Sequence, residues 1–294
     1  MNKLLLIFFL ILFSSSYSQL YKRAWGTLLP IDYKSCPDPL RRPCNLDTIY
    51  FYNNNHVTHV DQRSNTLYHT DRNLNRIYKT TTTNPLSSLF YTIPHSGGGT
   101  SIECIKTTSK GELILFGRTL VNGLATSGAY STTPIITVFT GSGYIAKIDT
   151  SGRLVWFTYF HPLIQNVSNL TLDNNDNIYV LTNREKNETL TTNTFQSNGD
   201  PNHPLSYMNA ISKLDTNGKH QWSTFYSKDQ SVIRSIGAGT NGVYVYGEHL
   251  DSNANSNYFG STGSFQEYAT GMTTGSTNNA NMVFLSKFNF NETR

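Results

Sequence analysis

One β-hairpin sequence occurs twice in this chain and begins a third time, and this repetition constrains the fold more than any other feature. The first copy runs from Gly143 to Tyr159 and the second from Asn209 to Phe225. In both, alternating apolar and polar residues flank a turn of Asp, Thr, a small polar residue and Gly, which is typical of two strands joined tightly. The third copy starts at Met282 and reaches Asn289. A chain that repeats one hairpin is a repeat protein.

A second strand-like phrase precedes each hairpin at a fixed distance. It begins at Glu112, Asn177 and Gly242, each 65 residues from the next. Another alternating run comes before each phrase, at 101–107, 167–172 and 232–238. Each unit then has four antiparallel strands, and such units in tandem predict an all-β chain folded as a β-propeller. A β-sandwich or a solenoid is the alternative.

The repeats set the expected domain organisation. We expect a signal peptide at 1–18, an outer strand and connector at 19–47, and propeller repeats over 48–294. The predicted blades cover about 48–80, 100–160, 166–226 and 231–294, the last completed by a strand at 24–28. In the first blade the turn at Asp71 is aligned with the turn at Asp149, which puts Tyr78-Lys79-Thr80 in the place of Trp156-Phe157-Thr158.

Long polar inserts separate the second and third predicted strands of the last three blades. They span 118–142, 183–208 and 248–281 and are rich in Gly, Thr, Ser and Asn. Each contains one aromatic phrase, at Tyr130, Phe195 and Phe265 respectively. Because the phrase recurs with the repeat, we interpret it as an anchor that holds the insert on its blade. We also expect the inserts to share one face of the propeller.

The ends of the sequence leave the blade number open. Residues 24–28 contain Trp25-Gly26-Thr27, the same Trp-x-Thr phrase that follows the turn in both complete hairpins. The last hairpin stops at Arg294 without that strand. Pairing of 24–28 with the last blade would close a four-bladed ring, since an open ring leaves an unpaired edge. Alternatively, the chain is the N-terminal part of a larger ring.

The first residues predict export. Lys3 precedes an apolar run from Leu4 to Phe13, and small residues then lead to a cleavage site between Ser18 and Gln19. This is the pattern of a secretory signal peptide, so we expect a secreted or cell-surface protein. No later stretch is apolar enough to span a bilayer, and the scattered Lys and Arg, with a net charge of +4, give no nucleic-acid patch.

Three cysteines accompany this prediction. In an exported chain Cys36 and Cys44 are expected to form a local disulfide in a proline-rich loop. Cys104 lies in an alternating stretch and is predicted to be a buried free thiol. Pairing of Cys104 with either of the others stays open at this point.

The hairpin phrases resemble a known family. Lys147 to Tyr159, Lys213 to Phe225 and the upstream Ser264-Phe265-Gln266 are similar to the bacterial secreted β-propeller repeat, or SBBP repeat, from about residue 100 onward. The resemblance implies a propeller exported to the surface of Gram-negative bacteria, often with a C-terminal type IX secretion sorting domain. It implies no common activity and no catalytic residues.

Motifs for specific chemistry are weak. The Gly237 to Gly242 segment matches G-x-G-x-x-G, but it falls between two predicted strands and not before a helix. His56 and His59 are three residues apart, so on a strand they point to opposite faces and cannot share a metal. Asp173 to Asn177 resembles the start of an EF-hand loop without its Gly and Glu, which leaves only a weak possibility of Ca²⁺ binding. We therefore assign no catalytic, cofactor-binding or metal residues.

The sequence favours a binding function over catalysis. Its repeated polar inserts predict an extracellular interaction module, adhesive or glycan-binding, with an unknown glycan or surface protein as partner. The alternative is an extracellular polysaccharide hydrolase or lyase, which needs two carboxyl groups close together. Asp200, Glu248 and Asp251 lie in or beside the inserts and are the available carboxylates.

Overall fold

A computed structural model describes the chain from residue 50 onward, with gaps. The described residues are 50–51, 56–71, 74–84, 86–94, 99–135, 141–161, 170–192, 194–201, 203, 205–227, 231–249 and 282–289. The predicted signal peptide, the strand 24–28, Cys36, Cys44 and Asp251 lie outside them. Every regular element in the described part is a β-strand.

The first two sheets are antiparallel meanders. The first has the order β1 (Tyr50–Phe51), β2 (His56–Asp61), β3 (Thr66–Thr70), β4 (Arg76–Thr81) and β5 (Ser88–Thr92). The second has the order β6 (Thr100–Thr107), β7 (Leu113–Thr119), β8 (Ser142–Ile148) and β9 (Leu154–Phe160). Strands that are neighbours in sequence are therefore neighbours in the sheet.

The third and fourth sheets repeat this topology. The third has the order β10 (Leu170–Leu172), β11 (Ile178–Glu185), β12 (Tyr207–Leu214) and β13 (His220–Phe225). The fourth has the order β14 (Val232–Gly239), β15 (Gly242–His249) and β16 (Met282–Phe288). In the last three units, the predicted strands that fall within the described residues are all present. The strand predicted at 24–28 lies outside those residues.

The four sheets are the blades of a β-propeller. Contacts between sheets join β2 to β6, β6 to β10, and β10 to β14, so these four strands form a row of neighbours, one from each sheet. Consecutive sheets thus pack face to face around a common centre, which is the propeller arrangement. The predicted all-β propeller fold is confirmed.

An apolar core fills each boundary between consecutive sheets. Between the first and second sheets it includes Tyr68, Ile77, Leu115, Tyr144 and Phe157. Between the second and third it includes Ile114, Phe116, Ile145, Ile178 and Val180. Between the third and fourth it includes Tyr179, Leu181, Ile211, Val245 and Phe288. Adjacent residues on one strand enter different cores, so a blade buried on both faces needs a nearly continuous apolar run.

The first sheet differs from the sequence alignment. The turn after Asp71 joins β3 to β4, and β5 follows as a further strand that the sequence analysis did not predict. Lys79 therefore lies in a third strand, like Lys147 and Lys213, and the outer strand beside it is β5, where Ser88 stands opposite Lys79 as Trp156 stands opposite Lys147. The alignment failed because the Asp71 turn imitates the Asp149 turn in its local geometry.

That imitation can be seen in the backbone. Leu74 stands three residues after Asp71 and has φ +57°, while Gly152 stands three residues after Asp149 and has φ +84°. In both turns the aspartate carboxylate accepts a backbone N–H four residues on, from Asn75 in one case and Arg153 in the other. A local pattern cannot show which pair of strands its turn connects.

Side-chain stacking supports the corrected frame of the first sheet. The Lys79 ammonium lies 5.9 Å from the ring centre of Tyr68 and 5.4 Å from that of Phe90. In the third sheet the Lys213 ammonium lies 5.5 Å from the ring centre of Tyr179. The lysine of the third strand therefore covers an aromatic ring of the second strand in both blades.

Candidate functional site

The long inserts lie at one end of their blades. The first insert, 120–141, joins β7 to β8, and the second insert, 186–206, joins β11 to β12. At the opposite ends of the blades, Ser109 donates from its backbone N–H to the Asp176 carboxylate at 2.7 Å, and the Arg63 guanidinium donates to the Thr107 carbonyl at 3.2 Å. These bonds join the first turns of successive blades at one rim. These two inserts therefore share the opposite rim, which we name the insert rim, and most of the third predicted insert lies outside the described residues.

A threonine of the outer strand fixes each described insert. In the second blade Ser131 donates its N–H to Thr158 Oγ1 at 3.0 Å, and Tyr159 donates its N–H to the Ser131 carbonyl at 3.2 Å. In the third blade Gln196 donates its N–H to Thr224 Oγ1 at 2.9 Å, and Phe225 donates its N–H to the Gln196 carbonyl at 2.9 Å. The threonine of the Trp-x-Thr phrase thus attaches the insert to the free side of the edge strand, which protects that edge.

The aromatic phrase of each insert packs against two consecutive blades. The Tyr130 ring lies 5.3 Å from Phe160 of its own blade and 4.9 Å from His220 of the next. The Phe195 ring lies 5.6 Å from the ring of Tyr226 and 6.0 Å from that of Phe288 in the fourth sheet. The predicted anchoring role is confirmed for these two phrases, and the structure extends it to the neighbouring blade. Phe265 lies outside the described residues.

An ion pair lies at the insert rim near the end of the second strand of each of the last three blades. Arg118, at the end of β7, pairs with Glu103 of β6. Arg184, near the end of β11, binds Glu188 through Nε at 2.9 Å. Glu248, near the end of β15, accepts two hydrogen bonds from the guanidinium of Arg234 at 2.9 and 3.1 Å. The rim is therefore polar but locally neutralised.

The sequence analysis predicted none of these pairs, and in two of them one member, Glu103 or Arg234, stands on a β-bulge. The register of β6 shifts between Ile102 and Cys104, and that of β14 shifts between Ile233 and Ser235. A signal exists in the sequence: Ile102 and Ile105 are three apart yet share one core. Strict alternation would place Ile102 and Ile105 on opposite faces of the strand, so one extra residue must lie between them. An extra residue of this kind is a β-bulge, which changes the direction of the side chains beside it.

An exposed aromatic and apolar group lies where the second insert returns to the sheet. Leu205 and Tyr207 are both exposed, Tyr207 at 37 % of its full surface. Tyr207 is paired across the strands with Glu185, and Asn209 donates its amide N–H to Asn183 Oδ1 at 3.0 Å on the same sheet face. An exposed flat ring beside a carboxylate is a surface that can stack on and hydrogen-bond a polar ligand.

The carboxylate of Glu248 is poorly suited to act as a general acid. Hydrogen bonds from the Arg234 guanidinium lower the pKa of the Glu248 carboxyl below its usual value. The group therefore stays ionised at neutral pH, whereas a glycosidase acid needs a raised pKa. Asp200 lies in the second insert, where its carbonyl accepts the N–H of His203 at 3.0 Å.

The structure gives each of the three weak sequence motifs an ordinary structural role. Gly239 ends β14 and Gly242 begins β15, so the G-x-G-x-x-G segment is a hairpin between two strands. His59 is buried and its Nε2 lies 2.6 Å from Thr107 Oγ1. The Asp173 carboxylate accepts hydrogen bonds from its own turn and from the Tyr179 hydroxyl at 3.1 Å. Within the described ranges no group of three His, Cys, Asp or Glu side chains is placed to hold a metal ion.

Cys104 is a free and buried thiol, as the sequence predicted. It belongs to the core between the second and third sheets. Burial raises the pKa of this thiol above its ordinary value, so Cys104 is unreactive in the folded chain.

The described residues contain no helix long and apolar enough to cross a membrane.

Acid should destabilise the protein through His161. Burial, with the positive charge of Arg184 and of His220 nearby, lowers the pKa of His161 from 6.5 to about 3. Below pH 6.5 the unfolded chain binds a proton that the folded chain takes up only near pH 3, so stability falls as the pH falls through this window. From pH 7 to pH 5 this group should remove about 2 kcal/mol of unfolding free energy.

The measurement is urea unfolding of wild type and His161→Gln at both pH values. The variant should lose correspondingly less stability between pH 7 and pH 5 than the wild type. An identical loss in both proteins would show that His161 is not a buried neutral imidazole.

Comparisons with known proteins give only distant likenesses. No family model matches the sequence, and no curated protein matches it. Among solved structures, the chain is similar to Kuenenia stuttgartiensis hydrazine synthase at 12 % identity and a TM-score of 0.43, over 70 % of this chain and 61 % of that one. It is also similar to a putative gluconolactonase at 10 % identity and a TM-score of 0.35, over 66 % of this chain and 57 % of that one.

A third similar structure is the endosialidase of phage phi92, at 13 % identity and a TM-score of 0.33, over 70 % of this chain and 33 % of that one. The chain thus spans less than two thirds of each of these three proteins. At such identities and TM-scores the likeness carries no inference about activity.

Proposed function

We propose that this protein is an exported β-propeller of the SBBP-repeat type that binds an extracellular glycan on its insert rim. The signal-peptide pattern at 1–18 supports export, and the repeated Trp-x-Thr hairpins support the family. The function proposed is binding and not catalysis.

The fixed position of the inserts carries this proposal. The hydroxyl oxygens of Thr158 and Thr224 each accept a backbone N–H of an insert, and the residue after each threonine donates its N–H to the insert. Tyr130 and Phe195 fix each insert against the following blade. Inserts that only linked two strands would not need this repeated attachment. Held in this way, they form a preorganised surface, which lowers the entropy lost when a ligand binds.

The chemistry of the rim favours a sugar ligand. Tyr207 offers an exposed ring face, and Glu185 and Asn183 supply a carboxylate and an amide on the same sheet face, with the Asn183 amide oxygen held by the Asn209 side chain. A carbohydrate presents apolar C–H faces and many hydroxyl groups, which match an aromatic ring flanked by hydrogen-bonding side chains. The ion pairs at the rim leave little net charge to attract a strongly charged ligand.

The test is binding to a panel of immobilised bacterial and host glycans. Wild-type protein should bind at least one glycan, and Tyr207→Ala should weaken that binding about 10-fold or more, because one stacked ring contributes roughly 1–3 kcal/mol.

Leu89→Ala is the control. Leu89 is also exposed, but it lies in β5 of the first sheet, away from the two described inserts. It should leave glycan binding unchanged. Equal losses in both variants, or no glycan bound by the wild type, would contradict the proposal.

A further inference from the structure

Within the described residues, the fourth sheet has three strands where the second and third sheets have four. Its order is β14, β15, β16, whereas the second and third sheets each add an outer strand after the third one. Lys287 of β16 pairs with Tyr244, as Lys213 of β12 pairs with Tyr179. The strand β16 is therefore a third strand in the frame of the repeat, and Val283 and Leu285 on it are exposed.

The structure defines what an outer strand of this repeat must carry. In the second sheet Trp156 lies opposite Lys147, and a Cβ added at Gly218 of the next blade would lie 3.0 Å from the Trp156 ring. Two residues later, Thr158 holds the insert. The outer strand thus supplies a Trp to cover the next blade and a Thr to hold its own insert.

One further segment of this chain carries both residues at that spacing. The sequence contains three tryptophans, and all three stand two residues before a threonine. Two of them are Trp156 and Trp222 of the described outer strands, and the third is Trp25, followed by Thr27. The phrase has a structural role in both places where it is described, so the third copy points to the same role.

We propose that residues 24–28 of this chain form the outer strand of the fourth sheet, antiparallel to β16 and with Trp25 opposite Lys287. The length of chain available permits this. Residues 29–49 lead from the segment to β1. With the predicted Cys36–Cys44 bridge closing residues 36–44 into a loop, the remaining extended chain still spans roughly 50 Å, against a width of roughly 45 Å for a domain of this size. The added strand joins the beginning of the chain to its last blade and covers an apolar edge.

Engineered cysteines test the predicted register. Ile145 lies opposite Thr158, and Ile211 lies opposite Thr224, so Leu285 should lie opposite Thr27. Directly opposed residues meet the geometry of a disulfide, and residues two positions out of register do not. The pair Thr27→Cys with Leu285→Cys should therefore form a bridge within one chain when the full-length protein is oxidised. Thr27→Cys with Val283→Cys is the control and should form at least about 10-fold less.

Peptide mapping under non-reducing conditions separates the outcomes. A bridge between residues 27 and 285 in monomeric protein supports the proposal. The same bridge in a covalent dimer would overturn it in favour of strand exchange with a second copy. No bridge, or equal bridging in both pairs, would also overturn it.

Hydrogen exchange of the wild-type protein tests whether residues 24–28 form a strand without any substitution. Amides of residues 24–28 should exchange at least about 100-fold more slowly than an unstructured peptide, because ladder hydrogen bonds must open first. Exchange at the unprotected rate would overturn the proposal even if a cysteine variant failed to fold.

Discussion

Replacing Trp222 by Ala is expected to lower the free energy of unfolding by about 3–5 kcal/mol. Trp222 is only 8 % exposed and belongs to the core between the third and fourth sheets. Its ring packs edge to face on Tyr179, with the ring centres 6.1 Å apart. Removal would leave a large cavity at a boundary where two blades meet. Urea denaturation followed by tryptophan fluorescence and circular dichroism measures the loss.

Two substitutions in β9, the outer strand of the second sheet, serve as comparisons for Trp222→Ala. Val155→Ala removes an exposed side chain and should change stability by less than about 0.5 kcal/mol. Trp156→Ala should cost less than Trp222→Ala, because Trp156 is only partly buried against the next blade. A loss below about 1 kcal/mol for Trp222→Ala would show that the third and fourth sheets do not pack as described.

Gly117→Ala is expected to destabilise the second blade by about 3 kcal/mol or more. An added Cβ at Gly117 would lie 1.9 Å from the Ser101 carbonyl oxygen and 2.8 Å from the Tyr144 hydroxyl oxygen. Both neighbours are fixed, since the Tyr144 hydroxyl itself donates to the Ser101 carbonyl at 3.1 Å. The strands β6 and β7 would have to separate to admit the methyl group. Thermal unfolding should show a fall in Tm.

Gly237→Ala is the matched control for this prediction. Gly237 also lies in a propeller strand, but a Cβ there would meet nothing within 4 Å. The substitution should be neutral or stabilise the fold by about 0.4–1 kcal/mol, since it restricts the unfolded chain. Equal effects of the two substitutions would mean that the close approach at Gly117 is not present.

The repeat explains why much of the fold could be predicted. Residues such as Leu113, Ile114 and Leu115 form an apolar run of strand length, and the turn sequence at Asp149 recurs at Asp215 inside the same hairpin. Strand formation and turn geometry depend on neighbours in sequence, so a repeated local pattern reports a repeated local structure. Four-stranded units in tandem then leave few ways to bury both faces of every sheet.

The frame of the first sheet could not be predicted in this way. The turn at Asp71 has the local geometry of the turn at Asp149, yet it joins a different pair of strands. Only the pairing of β5 with β4, and the contact of β2 with β6, determine which strand is the inner one. Pairing partners depend on contacts across the chain, which a local pattern does not record.

By itself, the sequence determined the strand type, the turns, the repeat and the anchoring aromatic phrases, because these depend on alternation and spacing along the chain. The tertiary structure decided which charged residues meet at the insert rim and which insert contacts which blade. Glu103 and Arg234 reach their partners because a bulge shifts the register of each inner strand. Tyr130 reaches His220 because two blades that are distant in sequence pack side by side. Both depend on the register and packing of whole sheets.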